Sequence, residues 1–68
     1  MREQMERLIR EMVDKGILFE DALHAFEKGF LAEVLTRTDG SLTEAARTLG
    51  IHRNTLSRKA TVYRLRRR

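Results

Sequence analysis

The sequence contains no proline, and three of its four glycines separate stretches of helical periodicity. Proline is the residue that most strongly interrupts a helix, so each helix can continue until a glycine or a capping residue ends it. Gly16 follows the first stretch, the Asp39-Gly40 pair follows the second, and Gly50 follows the third. No alternation of apolar and polar residues, the mark of a strand, occurs in the sequence. The sequence therefore predicts an all-α fold of four helices.

The predicted helices differ in length, and the third is the shortest. Helical spacing of apolar residues places them at residues 2–15, 17–38, 42–49 and 53–64. Thr43 is expected either to cap the third helix or to lie in its first turn beside Ser41. The final RLRRR segment is expected to be a frayed basic tail.

The first two helices carry more apolar surface than two helices can bury against each other. A chain of 68 residues builds only a small core, and such chains are usually stabilised by disulfides, metals or self-association. With no cysteine and two histidines, self-association is favoured, in a four-helix arrangement completed by a second copy. An ordinary monomer core is the alternative. The predicted homodimer interface consists of Met5, Leu8, Ile9, Met12, Val13, Leu23, Phe26, Phe30 and Val34.

Charge is distributed unevenly between the two halves of the chain. Residues 1–35 include five basic and eight acidic residues, a net charge of −3, whereas residues 36–68 include nine basic and two acidic residues, a net charge of +7. A polyanion is the natural partner of the basic half, because each neutralised phosphate releases condensed counterions. A solvated charged surface is the alternative. The expected organisation is one compact domain, with dimerisation helices over 1–38 and a polyanion-binding unit over 39–68.

The stretch TEAARTLGIHRNTLSRK has the form of two short helices joined by a sharp turn. Ala45 and Ala46 are small enough to let the two helices approach closely, and Gly50 can adopt the left-handed conformation that the turn requires. Ile51 and Leu56 are expected to point into the domain. This pattern is typical of a helix-turn-helix, whose second helix lays its N-terminal residues in the major groove of DNA.

Orientation of Leu56 toward the core leaves a polar arc on the fourth helix. Arg53, Asn54, Ser57 and Arg58 are expected on this exposed arc. Thr55 and Lys59 are expected at its edges.

The stretch DGSLTEAARTLGIHRNTLSRK resembles the helix-turn-helix of the Fis family, which is shared with the C-terminal DNA-binding domains of NtrC-type activators. The resemblance covers about residues 39 to 59 and is weaker over the two preceding helices. In the Fis family these preceding helices intertwine with those of a second subunit. The positions that match the family pattern are Gly40, Ala45, Ala46, Gly50, Ile51, Arg53, Thr55, Leu56, Arg58 and Lys59.

The resemblance implies binding to double-stranded DNA. Arg53 would be the best candidate for a bidentate contact to guanine. Fis-like dimers hold their recognition helices closer together than successive major grooves, so the resemblance also implies a bent duplex read partly through minor-groove width. The residues that it implies at the DNA are Ser41, Thr43, His52, Arg53, Asn54, Thr55, Ser57, Arg58 and Lys59.

The sequence departs from the family pattern at two places. Ser57 stands where Fis carries an arginine on its recognition helix, which leaves the base preference open. The family's Tyr-Gly-Leu close is replaced by ATVYRLRRR, in which Ala60 is small and Val62 and Leu65 are expected to supply the missing packing.

Three functions remain open at this stage. The first is a homodimeric DNA-binding and DNA-bending regulator of transcription or component of the nucleoid. The second is the DNA-binding fragment of a larger NtrC-type activator, although Met1 directly before the first helix favours a stand-alone protein without the N-terminal arm of Fis. The third is a protein-interaction module that uses the acidic N-terminal helices.

Other classes of function are not expected. The sequence offers no nucleophile paired with a base, so no enzymatic activity is predicted. His24 and His52 lack further ligands at helical spacing, so no metal, cofactor or small-molecule substrate is expected. The charged N-terminus and the lack of a long apolar run argue against a signal peptide and a membrane span. We therefore expect a cytoplasmic, nucleoid-associated protein.

Overall fold

A computed structural model describes residues 1–67, and within them it confirms an all-α fold of four helices without strands. The second helix begins two residues later than predicted, and the fourth ends two residues earlier. The third helix has the predicted bounds. The elements are α1 (Arg2–Asp14), α2 (Phe19–Arg37), α3 (Leu42–Leu49) and α4 (Arg53–Val62).

All four helices end in the same hydrogen-bonded turn, the Schellman motif. In α3 the Ile51 N–H donates to the Ala46 carbonyl at 3.1 Å, across a left-handed Gly50 with φ of 72°. The same bond pattern recurs one residue after each left-handed position. The left-handed residues at these four turns are Gly16, Asp39, Gly50 and Arg64, and Gly40 directly after Asp39 also has a positive φ, of 81°. The turns after α2 and α4 have Asp39 and Arg64 in the left-handed position, so this position in these two turns is formed without the conformational freedom of glycine.

The two short helices begin at side chains that cap their free N–H groups. The Ser41 hydroxyl accepts the Glu44 N–H at 3.2 Å, which makes Ser41 the N-cap of α3 and places Thr43 in the first turn. The His52 Nδ1 accepts the Asn54 N–H at 3.1 Å and caps α4.

The core lies between the C-terminal half of α2, the helix pair α3–α4 and one residue beyond α4. Leu56 is fully buried at its centre. Ala45 and Ala60 are also fully buried, and their small side chains let the helices approach closely. The buried core residues are Leu31, Leu35, Leu42, Ala45, Ala46, Leu56, Ala60 and Leu65.

The segment after α4 corrects two predictions. Leu65 is buried among the core residues, and its N–H donates to the Ala60 carbonyl at 2.8 Å, so the tail is not frayed at this point. Val62, which was expected to help pack this end, is 76 % exposed. The left-handed turn at Arg64 redirects the chain so that Leu65 reaches the core. Val62 lies on the outer face of α4 because it is about 200° around the helix from the buried Ala60.

Helix α1 contributes no buried residue, and the first turns of α2 also leave apolar side chains in solvent. The radius of gyration is 13.5 Å, whereas a compact chain of this length has about 11 Å. The exposed large apolar residues of this region are Met5, Leu8, Ile9, Val13, Ile17, Leu18, Phe19, Leu23, Phe26 and Phe30. The single chain therefore does not bury the apolar surface of α1 and of the first part of α2.

The predicted interface residues separate into two groups on α2. Val34 is partly buried against the chain's own core, and its place in an intermolecular interface stays a prediction. Leu23, Phe26 and Phe30 lie on the exposed face, with the rings of Phe26 and Phe30 in contact at a centroid distance of 5.5 Å. The difference arises because α3 and α4 cover only the C-terminal half of α2.

The burial of Leu65 predicts a difference in stability between two neighbouring truncations. Leu65→Ala should lower the free energy of unfolding by roughly 2 kcal/mol or more, because it removes buried methyl groups and leaves a cavity. Val62→Ala should change it by less than about 0.5 kcal/mol, because Val62 is exposed. Urea unfolding followed by circular dichroism measures both, and equal losses would contradict the assignment of Leu65 to the core.

Candidate nucleic-acid interface

Helices α3 and α4 are joined by a three-residue turn, Gly50 to His52, and pack on each other through small side chains. Ile51 is partly buried against the core and anchors the turn. This geometry is that of a helix-turn-helix, with α4 in the position of the recognition helix. The helix-turn-helix that the sequence predicts is therefore present in the fold as α3, the turn and α4.

The outer face of α4 carries the polar arc that the sequence predicts. Arg53, Asn54 and Arg58 are exposed, while Ser57 is partly exposed. The arc continues one turn further than the predicted residues, because the exposed Thr61 donates its hydroxyl to the Ser57 carbonyl at 3.0 Å. The face that could meet a groove therefore extends from Arg53 to Thr61.

His52 has a defined orientation at the start of α4. Its Nδ1 accepts a hydrogen bond from the Asn54 N–H, so Nδ1 carries no proton in this arrangement. The neutral ring then carries its proton on Nε2, which makes that atom a donor. His52 is exposed, so this donor can reach a phosphate or a base edge. The sequence predicted a contact at His52 but not the capping role that orients the ring.

The start of α3 presents two further predicted contact residues. Thr43 is exposed. Ser41 is partly buried, and its hydroxyl oxygen accepts the Glu44 N–H. A hydroxyl that accepts one bond can still donate its own hydrogen. The first turn of a helix also carries partial positive charge, which favours a nearby phosphate.

Lys59 points away from the exposed arc and toward α2. Its ammonium donates to both carboxylate oxygens of Glu27, at 3.2 and 3.1 Å. The Tyr63 hydroxyl donates to the same carboxylate at 2.8 Å. Glu27 thus connects α2 with the recognition helix and the residue that follows it. We refer to these three side chains as the Glu27 network.

Hydrogen bonding in the Glu27 network shifts the acidity of two groups. The hydrogen bond from Tyr63 and then that from Lys59 lower the pKa of the Glu27 carboxyl below its ordinary value. The hydrogen bond to Glu27 raises the pKa of the Tyr63 hydroxyl. The His24 ring meets the Tyr63 ring edge-on, with 6.3 Å between centroids, beside the groove that these side chains line.

Sequence reasoning missed Glu27 and Tyr63 as site residues. Glu27 lies 32 residues from Lys59 and 36 from Tyr63 along the chain, so no local spacing connects them. The available signal was an acidic residue on a helix face between apolar positions, which is equally typical of a solvated side chain.

Other kinds of site are absent from the part of the chain that the structure describes. Residues 1–67 contain no cluster of three or more histidine, aspartate or glutamate side chains arranged to hold a metal ion. Among the same residues, no helix combines the length and hydrophobicity needed to cross a bilayer.

The fold and the exposed polar face define a helix-turn-helix protein. Residues 22–67 match the sequence model of the bacterial regulatory proteins of the Fis family. A protein of Xylella fastidiosa named a Fis-like DNA-binding protein is 35 % identical over 71 aligned positions, which cover 96 % of this chain and 79 % of that protein. No solved structure matches the chain. The chain belongs to the Fis family of bacterial regulatory proteins, and both matches support a DNA-binding regulator.

The Glu27 network predicts that stability depends on pH. The pKa of Glu27 is lower in the folded chain than its ordinary value of 4.5, so its contribution to stability is present above that value and is lost as pH falls through the folded pKa. Tyr63 has a raised pKa, so its contribution is present below 10.0 and is lost as pH rises through the folded pKa. Thermal unfolding between pH 7 and pH 3 should therefore show a difference between parent and Glu27→Gln that shrinks as pH falls.

Glu33→Gln is the matched control for this experiment. Glu33 lies on the same helix and pairs with Arg37, but both side chains are more than half exposed. Its difference from the parent should be small at every pH. A Glu27→Gln difference that stays constant down to pH 3 would contradict the proposed linkage.

Proposed function

We propose that this protein is a homodimer that binds double-stranded DNA through α3 and α4 and bends it. The observation that carries the proposal is the polar face of α4, which presents two arginines, an asparagine and two hydroxyls in the half of the chain with net charge +7. In a helix-turn-helix this face enters the major groove. The protein would act on the chromosome, as a regulator of transcription or as part of the nucleoid.

The N-terminal residues of α4 would read the DNA sequence. Arg53 is exposed in the first turn, where its guanidinium could donate two hydrogen bonds to O6 and N7 of a guanine. Asn54 follows it, and His52 presents its Nε2 donor beside them. Thr55 and Arg58 flank the same face, and both line the groove next to the Glu27 network.

The phosphate backbone would be held at the start of α3. Ser41 and Thr43 present hydroxyl groups there, next to free N–H groups of the first helical turn. Such contacts set the position of the recognition helix on the duplex without reading sequence. Ser57 would lie in the groove as a small polar residue.

Lys59 would act on DNA indirectly. Its ammonium is held by Glu27, so we assign it the role of fixing α4 against α2 in place of a direct phosphate contact. The orientation of the recognition helix relative to the dimerisation helices would then depend on the Glu27 network.

A second copy of the chain would cover the exposed apolar surface of α1 and the first half of α2. The apolar residues exposed there outnumber those that single surface positions explain, and residues 1–67 contain no other helix that could cover them. In this proposal residues 1–38 form the dimerisation helices and residues 39–68 form the DNA-binding unit. Helix α2 would belong to both, because its Leu31 and Leu35 lie in the core of the helix-turn-helix. A dimer would also set the separation of the two recognition helices, and a separation shorter than one helical repeat of DNA would impose the bend.

Arg53→Ala should weaken DNA binding. The measurement is fluorescence anisotropy of a labelled random-sequence duplex of about three helical turns over a salt series. The parent's affinity for this duplex should fall steeply with salt, and Arg53→Ala should weaken it. On a duplex that carries a preferred site selected from the random sequences, Arg53→Ala should reduce the binding free energy by about 1–3 kcal/mol. Arg7→Ala removes an exposed arginine from α1 and should leave the affinity unchanged. The absence of parent binding at low salt would refute DNA binding and turn attention to protein partners of α1 and α2.

The dimer predicts a solution mass twice the 8.0 kDa of one chain. Leu8→Asp and Phe30→Asp each place a charge on the exposed apolar surface and should abolish the dimer together with stable folding. Val62→Asp changes an apolar residue that is even more exposed but lies on α4, and should keep the parent's mass. Light scattering at micromolar concentration measures all four proteins. A parent mass equal to one chain would exclude the dimer.

A further inference from the structure

The residues after α4 follow a defined path along the helix-turn-helix. Arg64 adopts the left-handed conformation with φ of 55°, and the buried side chain of Leu65 anchors the chain at the core. The Schellman bonds from Arg64 and Leu65 hold this turn, at 3.2 and 2.8 Å. Arg66 and Arg67 therefore leave the core from a fixed point.

Arg67 lies against the exposed face of α4. One terminal nitrogen of its guanidinium donates to the Thr61 hydroxyl at 3.1 Å, and the other donates to the Leu65 carbonyl at 3.2 Å. Thr61 in turn bonds to the carbonyl of Ser57 one helical turn earlier. The Arg67 guanidinium thus continues the column of side chains that passes through Ser57 and Thr61.

Arg66 and Arg67 also line a crevice with residues that precede α3. Its other side is formed by the end of α2 and the turn before the N-cap of α3, through Thr36, Asp39 and Gly40. The two arginines therefore lie between the start of α3 and the last turn of α4. Asp39 is the acidic residue of this crevice, and the ion pairs recorded in residues 1–67 involve neither arginine.

The side chains remain able to bind an anion. A guanidinium carries five N–H donors, and the two recorded bonds of Arg67 leave the others available. Arg66 is exposed and has no recorded side-chain bond in the described chain. A guanidinium matches the geometry of phosphate, as of carboxylate, through paired donors.

We propose that Arg66 and Arg67 form a C-terminal arginine patch that contacts DNA phosphates beyond those reached by α3 and the first turns of α4. The proposal rests on the proposed function, because it extends the surface of the same helix-turn-helix. The patch supplies positive charge to a recognition helix that has Ser57 in its middle turn. Contacts of this kind add affinity equally for all sequences, since phosphates carry no base identity.

The test compares the salt dependence of binding for two duplexes of unrelated sequence. Each phosphate contact contributes a slope of about 0.9 to the fall of log affinity with log salt. Arg66→Gln/Arg67→Gln should reduce the slope by about 1.8 per chain and weaken both duplexes by the same factor. Arg66→Lys/Arg67→Lys keeps the charge and should retain the slope.

Two further variants separate charge from folding and from position. Arg66→Gln alone removes no side-chain hydrogen bond within residues 1–67, because the bonds of this segment come from Arg67. It should lower the slope by about 0.9 per chain. Arg7→Gln/Arg10→Gln removes two exposed arginines from α1 and should leave the slope at the parent's value. Circular dichroism of each variant checks that its helices are intact.

The outcomes distinguish the patch from the proposed function. If the double glutamine variant keeps the parent's slope while Arg53→Ala still weakens binding, the patch is refuted and DNA binding stands. If the parent binds neither duplex at low salt, both proposals are refuted. If the double variant loses affinity only for a single-stranded RNA of equal length, the patch is refuted as a contact to duplex DNA.

Discussion

The structure depends on the packing of the C-terminal half of α2 against the α3–α4 pair. Leu31 and Leu35 from α2 meet Leu56 from α4, and alanines fill the remaining space because larger side chains would separate the helices. This small core orients the recognition helix, closes the turn at Gly50 and receives Leu65 from beyond α4. It does not extend to α1, so the outer apolar face of the N-terminal helices stays exposed in the single chain.

The Glu27 network adds a polar connection to this packing. Its carboxylate holds an ammonium and a phenol from the far side of the domain, so rotation of α4 about its axis would break three hydrogen bonds. In the proposed dimer, α2 would therefore connect the dimerisation surface to the recognition helix. The polar arc of α4, the caps of α3 and α4 and the C-terminal arginine patch all take their positions from the same helix pair.

Local signals in the sequence predicted most of the fold. The number of helices, the bounds of α3 and the left-handed turn at Gly50 follow from residues within a few positions of one another. The exposed arc of α4 also follows, because helical periodicity determines which side chains oppose Leu56. Predictions failed where the packing of separate elements decides the environment: Val62 is exposed, and the tail is held at Leu65.

The sequence by itself determined the number of helices, the motif that α3 and α4 form, the half of the chain that carries the positive charge and, to within two residues, the helix bounds. These properties depend on backbone preferences, short periodicities and composition. Only the tertiary structure decided that Glu27 binds Lys59 and Tyr63, that half of α2 is covered while half is exposed, and that Arg67 lies beside Thr61. Each of these depends on the angle and distance at which separate elements pack, and no residue spacing along the chain encodes either quantity.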